Sequence, residues 1–318
     1  MKNLPFLTII SSVILMTIFS SNTFFPHHLS MNQSLTDTTD NYLPYYEKIK
    51  EALIYYKDDK DYPKTIETFK EAFDMVSTPM AMDVLDALYV SIELESEENM
   101  FYFARILVEK GCEVPFFDRE DLKKLKDYPK EFEALMNHID YVQANAEKYW
   151  NVELREKMHA LFRKDQDIAY KYKGKNEYGN NWLLVTEYQE DVKLPFLELI
   201  KEHGMVGEKE LGIFFRDPQD STDYGLIQTF PGIIILHIIQ SGEHSRFTEE
   251  EINLYTQEGY MPWFTAKYIN GNKKGYRFGR DFYKKTNEMI QRNAPEDSIM
   301  MQVRLDWKME ESVRTNRP

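Results

Sequence analysis

Apolar residues recur at helical spacing through the first half of the chain. Tyr45, Ile49, Leu53 and Tyr56 form one stripe, and Pro63 is suited to the first turn of a second helix. The stripe of that second helix consists of Ile66, Phe69, Phe73 and Val76. This spacing predicts two helices joined by the polar segment KDDKDYP.

The helical period continues to about residue 148. Two segments, 81–94 and 97–110, are predicted as helices, with Gly111 placed to end the second one, and a further helix begins at Pro129. Short turns between successive helices predict an α-hairpin array over residues 43–148. The chain is long enough for two domains.

A second, mostly helical domain is predicted over residues 150–310. Its first helix carries apolar residues at alternating spacings of four and three, but Asp165 occupies one position of that stripe. The other members of the stripe are Leu154, Met158, Leu161, Ile168 and Tyr172. The fold class is therefore mainly α, with at most a short β-hairpin.

Other patterns place the later elements of this domain. An amphipathic helix over 189–203 is expected to stop at Gly204, and 216–225 is a loop rich in Asp, Gly and Pro. Thr248 and Glu251 have the spacing of a capping box, and the segment NGNKKG (270–275) is predicted as a turn or irregular loop.

The two ends of the chain lack these patterns. Residues 1–23 have a basic start followed by an apolar run that is shorter than the roughly 20 residues of a membrane span, which is typical of a signal peptide. Residues 24–42 are predicted as a flexible linker and 311–318 as a flexible tail. We expect an exported, periplasmic or extracellular protein with no membrane span in the mature chain; the alternative is retention at the membrane by an uncleaved N-terminal segment.

The charge of the chain restricts the classes of partner that it can bind, and its single cysteine restricts its covalent cross-links. The formal net charge is −14, and residues 31–150 carry 26 acidic against 14 basic residues. Such a surface repels phosphate backbones, so nucleic acid is not expected as a partner. The single cysteine, Cys112, cannot form an intramolecular disulfide and is predicted as a small buried residue.

Motifs for metals, phosphates and nucleophilic serines are missing from the sequence. His237 and His244 stand two helical turns apart, which is too far for one ion without other ligands. The chain has no HExxH, P-loop, GxGxxG or GxSxG motif. No metal and no cofactor is predicted.

Two residues break the apolar pattern around them. Asp165 lies within its helical stripe, and His237 lies within the aliphatic run PGIIILHIIQ. A buried unpaired carboxylate costs several kcal/mol, so each residue needs a partner or a cleft. We expect both to face one polar pocket, with Gln166, Gln240 and Arg304 as further ligand-binding residues. A general base with its orienting carboxylate and a purely structural pair both fit this pattern.

The segment KKGYRFGRDFYKK (273–285) is the most basic part of this acidic chain. It carries six basic residues against one acidic residue and alternates them with aromatics. One interpretation is a site for an anionic ligand that includes Arg277. The alternative is an ordinary solvated surface, or one that docks on the acidic first half of the chain.

Two resemblances follow from these motifs. The segment DYPKTIETFKEAFDM (61–75) resembles a tetratricopeptide-type helix pair, which implies a protein-docking scaffold. Residues 150–310 resemble a bacterial domain of unknown function that is often exported and often follows helical repeats. The matching motifs are DQ at Asp165 and Gln166, LELIKEHGMVGEKELG, IIILHIIQ, the Gly259 and Ala266 step, Phe278–Gly279 and VRLDW with Arg304.

The second resemblance implies a mainly helical fold with a shared polar pocket, and no established activity. The chain departs from the pattern at Ala169–Tyr170, where an arginine is expected, and at Asn270–Gly271, where an Asp-Arg pair is expected. Tyr276 also replaces a glutamine. If the family is catalytic, these departures predict lost or altered chemistry in this chain.

The function expected from the sequence is an exported cell-envelope protein that binds a protein or a small-molecule ligand on a helical scaffold. The alternative is a hydrolase-like enzyme in which His237 is the general base and Asp165 orients it.

Overall fold

The computed structural model describes residues 41–172, 181–215, 226–227, 230–241, 243 and 245–273. The predicted leader (1–23), the predicted tail (311–318) and nearly all of the predicted linker (24–42) lie outside these residues. The chain divides into two units. The first unit comprises Asp40–Trp150 with Gly212–Gln228, and the second comprises Asn151–Leu211 with Thr229–Arg277.

In its described residues, the first unit is built mainly from six α-helices. They are α1 (Tyr42–Ile54), α2 (Tyr62–Phe73), α3 (Ala81–Glu93), α4 (Glu97–Glu109), α5 (Val114–Phe117) and α6 (Pro129–Ala144). A π-helical turn (Tyr55–Asp59) and two 3₁₀ segments (Glu120–Asp127 and Ala146–Lys148) join them. Two short strands, β1 (Phe214–Phe215) and β2 (Leu226–Ile227), pair antiparallel in this unit, with Phe214 opposite Ile227.

Consecutive helices of the first unit pack against each other from α1 to α4, and α4 also packs on α6. Helix α3 is the centre of this arrangement, because every residue from Ala81 to Ser91 is buried. Cys112, which follows α4, is buried as predicted. The tetratricopeptide resemblance of this helical unit stays a prediction.

The second unit is helical in all its regular structure among the described residues. Its α-helices are α7 (Val152–Tyr172), α8 (Thr186–Tyr188), α9 (Leu194–His203), α10 (Glu208–Leu211), α11 (Phe230–Gln240), α12 (Glu249–Gln257) and α13 (Trp263–Lys273). A 3₁₀ segment (Asn181–Leu184) precedes α8, and a π-helical turn (Gln189–Lys193) joins α8 to α9. Helix α11 packs against α7, α13 and the π-helical turn.

The mainly α fold class is confirmed, and so are several helix ends. Pro63 lies in the first turn of α2, and Gly111 and Gly204 follow α4 and α9 with φ values of 109° and 78°. Thr248 and Glu251 form both hydrogen bonds of a capping box at the start of α12. These signals are local, which is why the sequence alone identifies them.

Helix α1 begins earlier than the predicted linker allows. The Asn41 side chain accepts a hydrogen bond from the Leu43 backbone N–H at 3.1 Å and so caps the helix. Tyr42 is fully buried, and its hydroxyl donates to the Thr78 carbonyl at 2.6 Å. Residues 41 and 42 therefore belong to the helical unit.

The predicted turn at 270–275 is wrong for residues 270–273, which complete α13. Asn270 and Gly271 are poor helix formers, but Asn270 is buried and its Nδ2 donates to Asn253 Oδ1 at 3.2 Å. This tertiary contact favours the helix over a local turn. The strand pair instead flanks the segment 216–225, which lies outside the described residues.

Candidate functional site

Asp165 and His237 meet between α7 and α11. His237 Nδ1 lies 2.7 Å from Asp165 Oδ1, and neither side chain has any exposed surface. The sequence predicts that these two residues face one pocket, and the structure brings them together across 72 positions of the chain. Their roles as catalytic residues stay predictions.

The second oxygen of Asp165 is held by its neighbour along the chain. Gln166 Nε2 donates to Asp165 Oδ2 at 2.6 Å. An ionised carboxylate only accepts hydrogen bonds, so His237 Nδ1 must donate the proton in its own contact. The geometry therefore assigns the Nδ1–H tautomer to a neutral His237, with Nε2 as the acceptor atom of the ring.

Helix α7 places Asp165 inside because the apolar stripe follows a true helical period. Phe162 and Asp165 are buried, whereas Leu161 is only half-buried and Tyr172 is half-buried at the end of the helix. A helix repeats every 3.6 residues, so a stripe read at a spacing of 3.5 drifts from one residue to its neighbour.

Tyr188 is a third member of this buried cluster, and no pattern in the sequence predicted its place there. Its ring centroid lies 6.5 Å from that of His237, with an interplanar angle of 70° that places the rings edge to face. Burial raises the pKa of Tyr188 well above its usual value, and the negative charge of Asp165 raises it further. The phenol therefore stays neutral beside the Asp165–His237 pair.

The π-helical turn that follows Tyr188 carries a buried cation. Lys193 Nζ donates to Gln189 Oε1 at 2.6 Å and forms an ion pair with Glu243, which also pairs with Arg246. Burial lowers the pKa of Lys193, and the positive charge of Arg246 lowers it further. Turns of this kind often occur at functional sites, but no periodicity in the sequence reveals them.

The remaining predicted site residues divide into two groups. Gln166 contacts Asp165, while Gln240 is the last residue of α11 and is half-buried, so its role stays a prediction. Arg277 and Arg304 lie outside the described residues. Within the part of the chain that the structure describes, no cluster of three or more His, Cys, Asp or Glu side chains could hold a metal ion.

The chemistry open to the Asp165–His237 pair is limited by its burial. A carboxylate on Nδ1 and an acceptor at Nε2 is the arrangement of a general base and its orienting group. A base must also reach the proton that it removes, and the zero exposure of His237 leaves no direct approach from solvent. The same contact joins α7 to α11, which is a structural role that burial favours.

A different group of side chains lies at the surface of the first unit. Glu109, His138, Tyr141, Tyr149 and Trp150 surround the C-terminal ends of α4 and α6, and we call them the Glu109 patch. His138 Nε2 lies 3.3 Å from Glu109 Oε1, and the Trp150 indole N–H donates to the Glu109 carbonyl at 3.0 Å. Sequence reasoning missed this group because no member interrupts an apolar run as His237 does, although its members are at most 41 positions apart.

The patch combines one exposed ring and three half-buried rings with a negative charge. Tyr141 is 50% exposed, its ring is stacked on His138 at 6.3 Å, and the Tyr149 and Trp150 rings lie 6.2 Å apart. Burial raises the pKa of Tyr149, and the Glu109 charge raises it further.

Gly212 fixes the backbone beneath Trp150. Its φ is +65°, and a Cβ there would lie 2.5 Å from the Lys110 carbonyl oxygen and 2.7 Å from Trp150 Nε1. Both values are shorter than any normal contact, so a larger residue would displace the indole. The Ile213 backbone N–H donates to the same Lys110 carbonyl at 2.7 Å. These contacts hold Trp150 in place at the end of α4.

Comparisons with protein-family models, with curated proteins and with solved structures find no match for this chain. The two resemblances drawn from the sequence therefore stay predictions. Among the described residues, no helix has both the length and the apolar character that crossing a membrane requires.

Proposed function

We propose that this protein is a protein-binding module of the cell envelope, in which the helical first unit carries the binding surface. The observation that supports it is the Glu109 patch, where an exposed tyrosine, an exposed glutamate and two further aromatic rings lie together on packed helices. Aromatic side chains are enriched at protein interfaces because they supply a large contact area at a small entropic cost.

The location in the envelope is part of the proposal and rests on the leader pattern of residues 1–23. The second unit then has a supporting role. Its Asp165–His237 contact joins two helices in the interior, and no exposed atom of that pair is presented to a ligand.

Site-specific photo-crosslinking in the native host tests the binding surface. A benzophenone amino acid replaces Tyr141 in the full chain, and the matched control carries it at Tyr170, which is 90% exposed on α7 in the second unit. We expect a discrete protein adduct from position 141 that is absent from position 170. Equal adducts at both positions, or none at 141, would contradict the proposal.

A hydrolase-like enzyme is the second candidate, and one specific observation favours it. Gln166 and His237 Nδ1 occupy one oxygen each of Asp165, which fixes the imidazole as an orienting carboxylate does in a general-base pair. For this candidate, His237→Gln must abolish hydrolysis of a broad substrate panel while the melting temperature is retained. A large loss of stability without any lost activity supports the structural role instead.

A further inference from the structure

We infer that the Glu109 patch binds a cationic, arginine- or lysine-rich segment of a partner protein. This inference rests on the proposed function and names the chemistry of its partner. Three features of the first unit support it: the carboxylate within the patch, the ring faces around that carboxylate, and the acidic charge of the surrounding unit.

The carboxylate is the first feature. Glu109 is exposed, with 46% of its side chain accessible, and its ion-pair partner among the described residues is His138, which is charged only when protonated. An exposed ion pair of this kind is weak in water. An arriving guanidinium or ammonium group can pair with this carboxylate without first breaking a strong salt bridge.

The aromatic rings are the second feature, because a ring face attracts a cation. The chain already uses its exposed tyrosines in this way. Lys148 Nζ lies 5.5 Å from the centroid of Tyr141, and Lys70 Nζ lies 5.1 Å from that of Tyr102. The Lys148 side chain is exposed, and its Nζ also donates to Asn145 Oδ1 at 2.7 Å, so a partner's arginine takes its place on the ring by displacing one exposed hydrogen bond. The rings of Tyr149 and Trp150 extend the surface beside Glu109.

The third feature is the charge of the surroundings. Residues 31–150 carry 26 acidic against 14 basic residues, and Asp140 and Glu147 are exposed next to Tyr141 and Lys148 in the sequence. This excess attracts a basic segment over distances of about 8 Å at physiological salt.

The occupant is a segment of protein and not a small cation, for energetic reasons. One exposed cation–π contact lowers a dissociation constant by only about two- to five-fold, and an exposed ion pair does so by about as much. Micromolar affinity requires several such contacts acting together. A single ammonium group on this open surface therefore binds weakly, whereas several arginines along one chain contact the rings and carboxylates together.

Fluorescence anisotropy of labelled peptides on the full chain tests the inference. The probe alternates arginine with serine, and the comparison peptide alternates glutamate with serine. We expect the arginine peptide to bind more tightly and to weaken as salt rises. Glu109→Gln and Tyr141→Ala should each weaken it by about five-fold, as expected from the loss of one contact of about 1 kcal/mol.

Two matched controls lie on α7 in the second unit: Glu156→Gln removes an exposed carboxylate, and Tyr170→Ala removes an exposed ring. Both should bind the arginine peptide like the unaltered chain. Equal binding of the two peptides, or equal binding by all four variants, overturns the inference. If the Tyr141 crosslink still forms in that case, the proposed function stands and only the cationic chemistry is wrong. A neutral oligosaccharide that binds through Tyr141 in place of the arginine peptide would also overturn it.

Discussion

Each unit of this protein buries an aspartate on a central helix, but the two aspartates have different partners. In the first unit, Asp83 of α3 is 3% exposed and accepts a hydrogen bond from the Tyr45 hydroxyl at 2.7 Å. In the second unit, Asp165 of α7 is fully buried and contacts His237 at 2.7 Å. The burial and the distances are nearly the same, so the difference lies in the partner group.

The difference shows what each pair can do. The Tyr45 hydroxyl donates to Asp83 and accepts the Met80 backbone N–H at 3.0 Å, so its hydrogen-bonding groups are used within the core. Burial raises the pKa of Tyr45 well above its usual value, and Asp83 raises it further. An imidazole has a second ring nitrogen and can gain a proton, so of these two buried pairs it is Asp165–His237 that can take part in acid–base chemistry.

Removing the imidazole is expected to give the largest effect. His237→Leu leaves the Asp165 carboxylate buried without the imidazole that hydrogen-bonds its Oδ1, which costs about 3–5 kcal/mol of unfolding free energy. Denaturant unfolding measures this loss, and His203→Leu, at an exposed histidine of α9, should change it by less than about 0.5 kcal/mol. A loss below about 1 kcal/mol for His237→Leu would show that the contact is weak.

Removing the phenol hydroxyl is expected to give a smaller effect. Tyr45→Phe keeps the packed ring but leaves Asp83 Oδ2 and the Met80 N–H without this partner, for a cost of about 1–3 kcal/mol. The matched control is Tyr56→Phe, because the Tyr56 hydroxyl donates to Glu93 at the surface of the same unit. If the two variants lose equal stability in denaturant unfolding, burial does not set the strength of these bonds.

Alkaline pH should lower the free energy of unfolding of both units by the same mechanism. The pKa values of Tyr45 and Tyr188 are raised in the folded state, so the native chain holds these protons more tightly than the unfolded chain. The contribution of these two protons to the free energy of unfolding is therefore complete below about pH 10. It is lost as pH rises from about 10 toward the folded pKa values, by up to about 1.4 kcal/mol per pH unit for each tyrosine.

Unfolding titrations between pH 9 and pH 11 (roughly one unit on either side of the usual tyrosine value) measure this slope. Tyr45→Phe and Tyr188→Phe should each make it shallower. Tyr170→Phe, at a side chain that is 90% exposed, should leave it unchanged. A slope that all three variants share with the unaltered chain would contradict the account.

The sequence predicts those features that a short segment determines by itself. Pro63, Gly111, Gly204 and Thr248 mark helix ends through local backbone preferences, and each prediction is confirmed. Asp165 and His237 could also be identified, because a polar residue inside an apolar stripe must find a partner.

Other features depend on contacts that no local pattern contains. Asn270 is a residue type typical of turns, but its hydrogen bond with Asn253 favours a helix. In the sequence, Tyr188 is indistinguishable from an ordinary core aromatic. The π-helical turn that follows it produces no characteristic spacing of apolar residues. The Glu109 patch joins residues from α4, α6 and the segment after α6, so only the folded chain shows it.

The central claim is that binding takes place at the Glu109 patch and that the Asp165–His237 pair only supports the fold. The double variant Asp165→Ala with His237→Leu removes both polar groups and nearly conserves the total side-chain volume, so it should be more stable than His237→Leu alone. Crosslinking from position 141 in this double variant is the most direct test. The account predicts the same partner adduct as in the unaltered background. Loss of the adduct from a chain that remains folded by circular dichroism would contradict it.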